Sequence, residues 1–422
     1  MVTHLFKINK LNSIKSLLLI YLLFYITLIF GFLMNENSTG GAQLDYEWVK
    51  NLCGRIDNQG LKNFLFNEYP ISTPQHFPFF YVISCRFRNL ISSEYLYRLI
   101  YLHFALLIPF LFYKNIKIIY KNSNKILYYI PCLFFISPYF RSLSIWSANE
   151  IFALIFLLIS LLSFNKYIYF SGKKYQIYLG LFFLVIASYI RPEYSIIILF
   201  YFYKIFYLQN KNRELLLFLA LGIILTIPLI LFFQNISFNF LGYKNSIYLN
   251  LFRNTFAFFS VLGFYTIPFI IFDKKIFKNY INFLKKNINQ LILLTLISFL
   301  LIYFFKIYYN IGGGIFYKAL TLINFKFLFP IFSIIGFYNI IFLINKKKIN
   351  YLILIMLFLQ TSINFTFFQK YLDLMWLIYF FIIFKFNNFN YLFFNNKLFK
   401  FLIFYYLFFY FIALFYYSNF LN

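Results

Sequence analysis

Apolar residues fall in runs of roughly 15 to 20 along nearly the whole chain, separated by short polar stretches. A helix needs about 20 such residues to cross a bilayer core of roughly 30 Å. The runs cover 14–34, 94–113, 126–141, 147–165, 175–190, 193–209, 214–233, 254–272, 290–309, 327–345, 350–367, 371–385 and 400–418. A soluble core would not need so many. The pattern predicts an all-α, polytopic transmembrane helical bundle of about thirteen spans. The stretch His76–Leu90, HFPFFYVISCRFRNL, has only about nine apolar residues before Arg86 and Arg88, too few to cross. It reads as an interfacial helix inside a first outer loop, 35–93.

Lysine placement orients the bundle. If His76–Leu90 does not cross, the lysine-rich connections 113–125, 165–176, 211–214, 273–286, 345–348 and 385–400 all fall on the cytoplasmic side, as the positive-inside bias requires. The N-terminus is then inside and the C-terminus outside. Acids test that choice, because they did not make it. Of the 11 in the chain, Glu36, Asp45, Glu47, Asp57, Glu68, Glu94, Glu150, Glu193 and Asp373 land outside, and only Glu214 and Asp273 inside. Arginine divides the same way: Arg55, Arg86, Arg88, Arg98, Arg141, Arg191 and Arg253 are outer, Arg213 inner. A position that needs only charge can drift to lysine; one that needs a planar fork for phosphate or carboxylate cannot. The outer rim is therefore where geometry matters.

The formal charge of +27 is accounted for by these loop lysines. No soluble stretch is large enough for a nucleic-acid module, so nucleic acid is not expected as a partner. AT-rich codon usage accounts for 68 phenylalanines better than an aromatic binding site does. Cys53, Cys85 and Cys132 have no metal-ligand spacing, but Cys53 and Cys85 share the outer region, where a disulfide can form. The basic 1–15 stretch and apolar 16–34 resemble a signal peptide without a small-residue cleavage site, and read as a retained first span.

Among the outer residues, Asp45 and Glu47 in GGAQLDYEWVKN are the first candidates. On an extended loop they share a face, and on a helix they point apart. A carboxylate there can deprotonate a hydroxyl, and the pair can hold a divalent cation, though nothing requires one. The bland alternative is an N-cap, Asp45, for a helix starting near Trp48. His76 is placed at headgroup level or simply opens a helix. Arg141 and Glu150 flank one outer turn, and Arg191 and Glu193 another, where Pro192 breaks the helix. Such charges are costly unless paired or used. Glu94 and Arg98 read as an ordinary i, i+4 pair without a role. In the later outer loops, Lys244, Arg253, Lys318 and Lys370 are candidates for a lipid-borne phosphate. Gly312–Gly314 lets backbone N–H groups approach one, although no GKS or GKT follows to make a P-loop.

In order along 14–210, the chain carries LDYEW after a first span, HFPFFYVI, EYLYRLIYLH, ISPYFRSLSIWSANEIF and ASYIRPEYS. This series resembles the GT-C class of integral-membrane glycosyltransferases. Phe77 stands where many members have a first proline, and no large soluble C-terminal domain follows, which argues against an oligosaccharyltransferase. The resemblance implies a GT-C-like catalytic module, 1–233, with variable C-terminal helices, 234–422, and no separate soluble domain. It implies a polyprenyl-phosphate sugar as donor, a lipid-linked or cell-envelope glycan as acceptor, and membrane lipids as surroundings. It also implies an inverting transfer at the outer face of a bacterial inner membrane. Asp45 would be the general base with Glu47 assisting. Arg141, Arg191 and Lys370 would bind the donor phosphate, while His76, Glu150 and Glu193 would bind substrate. No cofactor beyond an optional divalent metal is expected. The alternatives are an O-antigen or capsule polymerase, which would put its largest outer loop in the second half, and a lipid-linked-sugar flippase, which would carry mid-span charges and an internal repeat.

Overall fold

The computed structural model of the protein describes residues 21–39, 41–65, 78–91, 93–120, 127, 129–170, 172–209, 212–235, 247–305, 312–344, 348–362, 367–384 and 396–420. Every regular element among them is helical. Five helices are long and apolar enough to cross a membrane: Glu94–Ile119, Glu150–Tyr169, Leu251–Ile271, Lys326–Ile344 and Lys397–Tyr417. A sixth arises if Lys274–Lys286 and Ile288–Leu301, bent by 73°, form one broken span. The protein is an α-helical membrane protein, and these five helices coincide with five of the apolar runs.

Other runs are interrupted for local reasons. The 126–141 run breaks at Ser137, between the short helix Cys132–Ile136 and Pro138–Ile145. Ser137 is extended (φ −73°, ψ 122°), and its hydroxyl accepts the Phe140 N–H at 3.2 Å. Proline, with fixed φ and no N–H, suits the first turn that follows. The 371–385 run is a ten-residue helix, Gln369–Ile378, followed by a π turn, Tyr379–Ile383. Pro192 opens a 3-10 turn to Ile197 rather than a full helix.

The chain forms two compact units. The first comprises Met1–Pro192, Leu216–Phe232 and Ile403–Asn422. The second comprises Glu193–Leu215 and Phe233–Leu402.

In the first unit the elements are α1 (Tyr21–Leu33), α2 (Ala42–Gln59), α3 (Phe79–Leu90), α4 (Glu94–Ile119), α5 (Pro138–Ile145), α6 (Glu150–Tyr169) and α7 (Tyr175–Ile190). The first outer loop is helical, as α2 and α3. α6 is the centre: it packs along α7 and the second half of α4, whereas the first half of α4 lies on α5, and α2 lies on α3 and α5. Buried polar side chains tie the apolar helices together. Asn115 Nδ2 donates to the Leu158 carbonyl (3.0 Å), Asn165 Nδ2 to Asn115 Oδ1 (2.9 Å), and Ser160 Oγ to the Gly180 carbonyl (2.6 Å). α6 has 20 residues, about 30 Å of rise. Glu150 and Arg191 meet at one end of α6 and α7. Ile118, Lys166 and Lys173 gather at the other. Glu150 and Arg191 are therefore separated from Lys166 and Lys173 by the length of a membrane-crossing helix.

In the second unit, Ile247–Ile271 packs along Phe329–Ile344 through two facing glycines. A Cβ on Gly336 would lie 1.8 Å from the Phe259 carbonyl oxygen, and one on Gly263 would lie 2.9 Å from Gly336 Cα. Lipid offers helices no hydrophobic drive to associate, so close backbone packing and hydrogen bonds take that part. Beside the glycines, Ser333 Oγ donates to the Phe256 carbonyl at 2.7 Å. The expected cytoplasmic connection 273–286 is an amphipathic helix, Lys274–Lys286, capped by Asp273, whose Oδ1 accepts two backbone N–H groups (2.8 and 3.1 Å). Its Tyr280 and Phe283 lie on the Phe342 ring, and Lys274, Lys275, Lys278, Lys285 and Lys286 are exposed.

Gly336→Ala must push two helices apart and should cost on the order of 1–3 kcal/mol or more. Thermal unfolding in detergent should show a lowered midpoint. Gly54→Ala, whose Cβ meets nothing within 4 Å, is the matched control and should not lower it.

Candidate functional site

One end of the first unit is organised around Arg141, on α5, and Glu36, on the link between α1 and α2. Both side chains are 5% exposed. Arg141 Nε donates to both Glu36 oxygens (2.9 and 3.1 Å), and Nη2 donates to Oε2 (2.5 Å) and to the Thr27 carbonyl (2.9 Å). Nη1 donates to Thr27 Oγ1 (3.2 Å) and the Phe135 carbonyl (3.3 Å). The Tyr410 ring covers the guanidinium at 4.9 Å. A guanidinium has five N–H groups, and all five are engaged. Arg141 thus has no donor left for a phosphate; it clamps the first loop to α5. Ser38 Oγ, 2.9 Å from the Pro138 carbonyl and 3.1 Å from Ser142 Oγ, and Trp146 Nε1, which donates to the Glu36 carbonyl at 2.9 Å, complete the clamp.

Arg191 Nη2 makes a short ion pair with Glu150 Oε1; the two side chains are 8% and 13% exposed. Arg191 ends α7 and Glu150 opens α6, where a carboxylate also meets the positive end of the helix dipole. Glu193, two residues on, lies half-buried in the 3-10 turn Pro192–Ile197.

Between these pairs sits Arg98. The expected Glu94–Arg98 pair does not form. Glu94 turns outward to Lys50 Nζ (2.9 Å) and Arg88 Nη2 (3.5 Å). Arg98, 8% exposed, turns inward. Its Cζ lies 4.0 Å from the centroid of the Trp146 ring, 5.3 Å from that of Phe32 and 5.9 Å from that of Tyr46. Its Nε donates to the Ile145 carbonyl at 3.1 Å, yet Nη2 is buried with no hydrogen-bond partner. One turn along α4, the Tyr101 hydroxyl donates to Asn149 Oδ1 (3.3 Å), and Asn149 Nδ2 is likewise buried without an acceptor. Two donors without acceptors thus lie where α4 meets the α5–α6 turn.

α2 brings Asp45 and Glu47 to this region. The helix begins at Ala42 with Gly41 as N-cap, so Asp45 sits in the first turn and is not itself the cap. Both carboxylates are half-buried, and Tyr46 between them is buried. At i and i+2 of a helix the two side chains diverge. The shared face of an extended loop is lost, and the pair does not fit a chelate for a divalent ion. Among the described residues no three His, Cys, Asp or Glu side chains converge to hold a metal. The Tyr46 ring lies 6.1 Å from Trp146, and Glu47 acts electrostatically on Arg98. Burial pushes the Tyr46 phenol well up, against the pull of Arg88.

The loop bearing these acids has its own small core. Leu52, Ile56, Phe64 and Tyr81 pack around a Cys53–Cys85 disulfide that joins α2 to α3 across a sequence separation of 32. Closing such a loop constrains the unfolded chain by about 3–4 kcal/mol. Cys132 is free and buried. His76 and Lys244 lie outside the described residues.

In the second unit, Lys370 lies over the rings of Phe368 (5.6 Å) and Tyr371 (5.3 Å). Gly312, Gly313 and Gly314 all have positive φ (90°, 79° and 82°), which only glycine adopts freely. Two N–H groups of this turn are already engaged. The Gly313 N–H donates to the Phe367 carbonyl (3.0 Å), and the Ile315 N–H to Gln369 Oε1 (2.8 Å). Burial pushes the nearby Lys318 ammonium down to about 8.

The structure therefore brings the elements of Asp45, Glu47, Arg141, Glu150 and Arg191 to one end of one unit, but with Arg141 and Arg191 each held by a carboxylate. Sequence reasoning missed Arg98 and Glu36. The signal for Arg98 was an arginine one turn inside an apolar span, where only a specific environment tolerates it. No protein-family model, curated protein or solved structure matches the chain.

Removing one partner of a buried pair leaves a charge uncompensated, at about 3–5 kcal/mol. Glu36→Gln should therefore lower the unfolding midpoint strongly, and Arg141→Lys, which keeps charge but loses the fork, should not restore it. A second outcome concerns the thiols. In denaturant without reductant, mass spectrometry should find one of the three cysteines alkylated, and after reduction all three.

Proposed function

We propose that the protein is a membrane glycosyltransferase that moves a sugar from a polyprenyl-phosphate donor to a lipid-linked or cell-envelope glycan acceptor at the outer face of the membrane. The observation that carries this reading is the pair of buried donors without acceptors, Arg98 Nη2 and Asn149 Nδ2, beside a helix that bears two carboxylates. A buried donor left unpaired costs about 1–3 kcal/mol, more if charged. An anionic group that enters and accepts from both removes that cost, and a phosphate has the oxygens to do so. Arg98, not Arg141, is the guanidinium assigned to it.

In the reaction, the acceptor hydroxyl oxygen attacks the anomeric carbon and forms the new glycosidic bond. The bond from that carbon to the phosphate oxygen breaks, and the polyprenyl phosphate departs with the electron pair. Asp45 takes the hydroxyl proton, and Glu47 positions the acceptor. Arg98 and Asn149 stabilise the negative charge that grows on the phosphate, where fixed donors act most strongly. The donor carries its own activation, so no nucleotide enters. The Cys53–Cys85 disulfide supports an oxidising compartment for the first loop. A bacterial periplasm is such a compartment, with the lysine end of the bundle in the cytoplasm.

Transfer is measured with a polyprenyl-phosphate sugar in reconstituted membranes. Asp45→Asn should lower the rate by about 10²-fold or more. Arg98→Lys should lower it by about 10²-fold. Each variant must keep a cooperative thermal unfolding transition in detergent close to that of the wild type as proof of folding. Full transfer by folded Asp45→Asn removes the base; full transfer by folded Arg98→Lys removes the phosphate assignment.

A further inference from the structure

A cavity of about 440 Å³ opens at the lysine end of the first unit, where α6 ends and α7 begins. Lys166 and Lys173 line it, both exposed, and no carboxylate pairs with either among the described residues. On its wall is Gln176, whose Oε1 is buried with no hydrogen-bond partner. That oxygen rests against Gly172: a Cβ there would lie 1.9 Å from it. Phe170 and Tyr175 stand at the rim, 58% and 56% exposed. The cavity thus offers two free cations, one acceptor awaiting a donor, and an aromatic edge.

The surface beside it decides what kind of molecule fits. Tyr175, Leu179 and Phe182 are all exposed and fall at i, i+4 and i+7 of α7, so they form one apolar stripe leading away from the cavity along the helix. α6, whose end the cavity flanks, is long and apolar enough to cross a membrane. Aromatic rings at such helix ends sit at headgroup level. A water-soluble phosphate would use the cations and ignore the stripe. A lipid uses both.

We propose that this cavity binds the headgroup of an acidic glycerophospholipid whose headgroup also carries hydroxyls, phosphatidylglycerol being the simplest. The phosphate lies between the Lys166 and Lys173 ammonium groups. A headgroup hydroxyl donates to Gln176 Oε1. An acyl chain runs along Tyr175, Leu179 and Phe182. The site is at the opposite end of α6 from Arg98 and does not depend on the glycosyl-transfer reading.

The test is lipid binding to the full chain in detergent, read by native mass spectrometry, with phosphatidylglycerol, phosphatidylcholine and glycerol phosphate as separate probes. Each lysine near the surface contributes about 1 kcal/mol to an acidic lipid, so Lys166→Gln with Lys173→Gln should weaken phosphatidylglycerol binding by about tenfold or more. The control, Lys114→Gln with Lys117→Gln, removes the same charge from the second half of α4 without changing a residue that lines the cavity, and should leave binding close to wild type. Gly172→Ala, which displaces the glutamine oxygen, should also weaken it. Equal losses from the two lysine doubles would mean general surface charge and overturn the site. Binding no stronger than to phosphatidylcholine would overturn it too. Glycerol phosphate binding as tightly as the lipid would leave a soluble phosphate site and overturn the lipid assignment.

Discussion

A charge at the rim of a bilayer must be paired, hydrated or occupied by a ligand, and the Glu36–Arg141 clamp is where this chain meets that constraint most completely. Five guanidinium N–H groups are spent on one carboxylate, one hydroxyl and two carbonyls. The gain over a well-packed apolar contact is small, since both ions leave water. What the clamp gives is a unique arrangement. It fixes the link from α1 to α2 against α5, and with it the Trp146 indole over Arg98 and the Tyr46 ring beside it.

The same rim then holds three arginines in three states. Arg141 is saturated, Arg191 shares a carboxylate at two helix ends, and Arg98 is buried in aromatic rings with one nitrogen unanswered. An aromatic cage lets a guanidinium be buried without a counter-charge, because ring faces carry negative potential. It does not satisfy N–H groups. This difference between electrostatic comfort and hydrogen-bond completion singles Arg98 out, and charge alone would not.

Much of the architecture was legible because bilayer thickness dictates run length. Five full spans appear where uninterrupted apolar runs stood, and the acidic and lysine ends of α6 and α7 separate as the lysine count required. The breaks were harder. Composition registers 126–141 as continuous, but Ser137 and Pro138 exchange one helix for another inside it. At the site, the gathering of Asp45, Arg141 and Arg191 toward one end of the first unit was readable, whereas their partners were not. Glu36 and Arg141 are 105 residues apart, and i, i+4 spacing suggested a Glu94–Arg98 pair that tertiary packing replaced with Lys50 on one side and Trp146 on the other. The pair Cys53 and Cys85 was named from sequence by shared location, but neither motif nor spacing required the bond that forms.

The 105-residue separation also bears on biogenesis. A ribosome adding about 5–20 residues per second exposes Glu36 some 5 to 20 s before Arg141 emerges. During that interval the carboxylate stays in water, so the first helix cannot settle to its final depth. Closure of the clamp between the α1–α2 link and α5 is therefore a late event in synthesis, timed by the arrival of a single guanidinium.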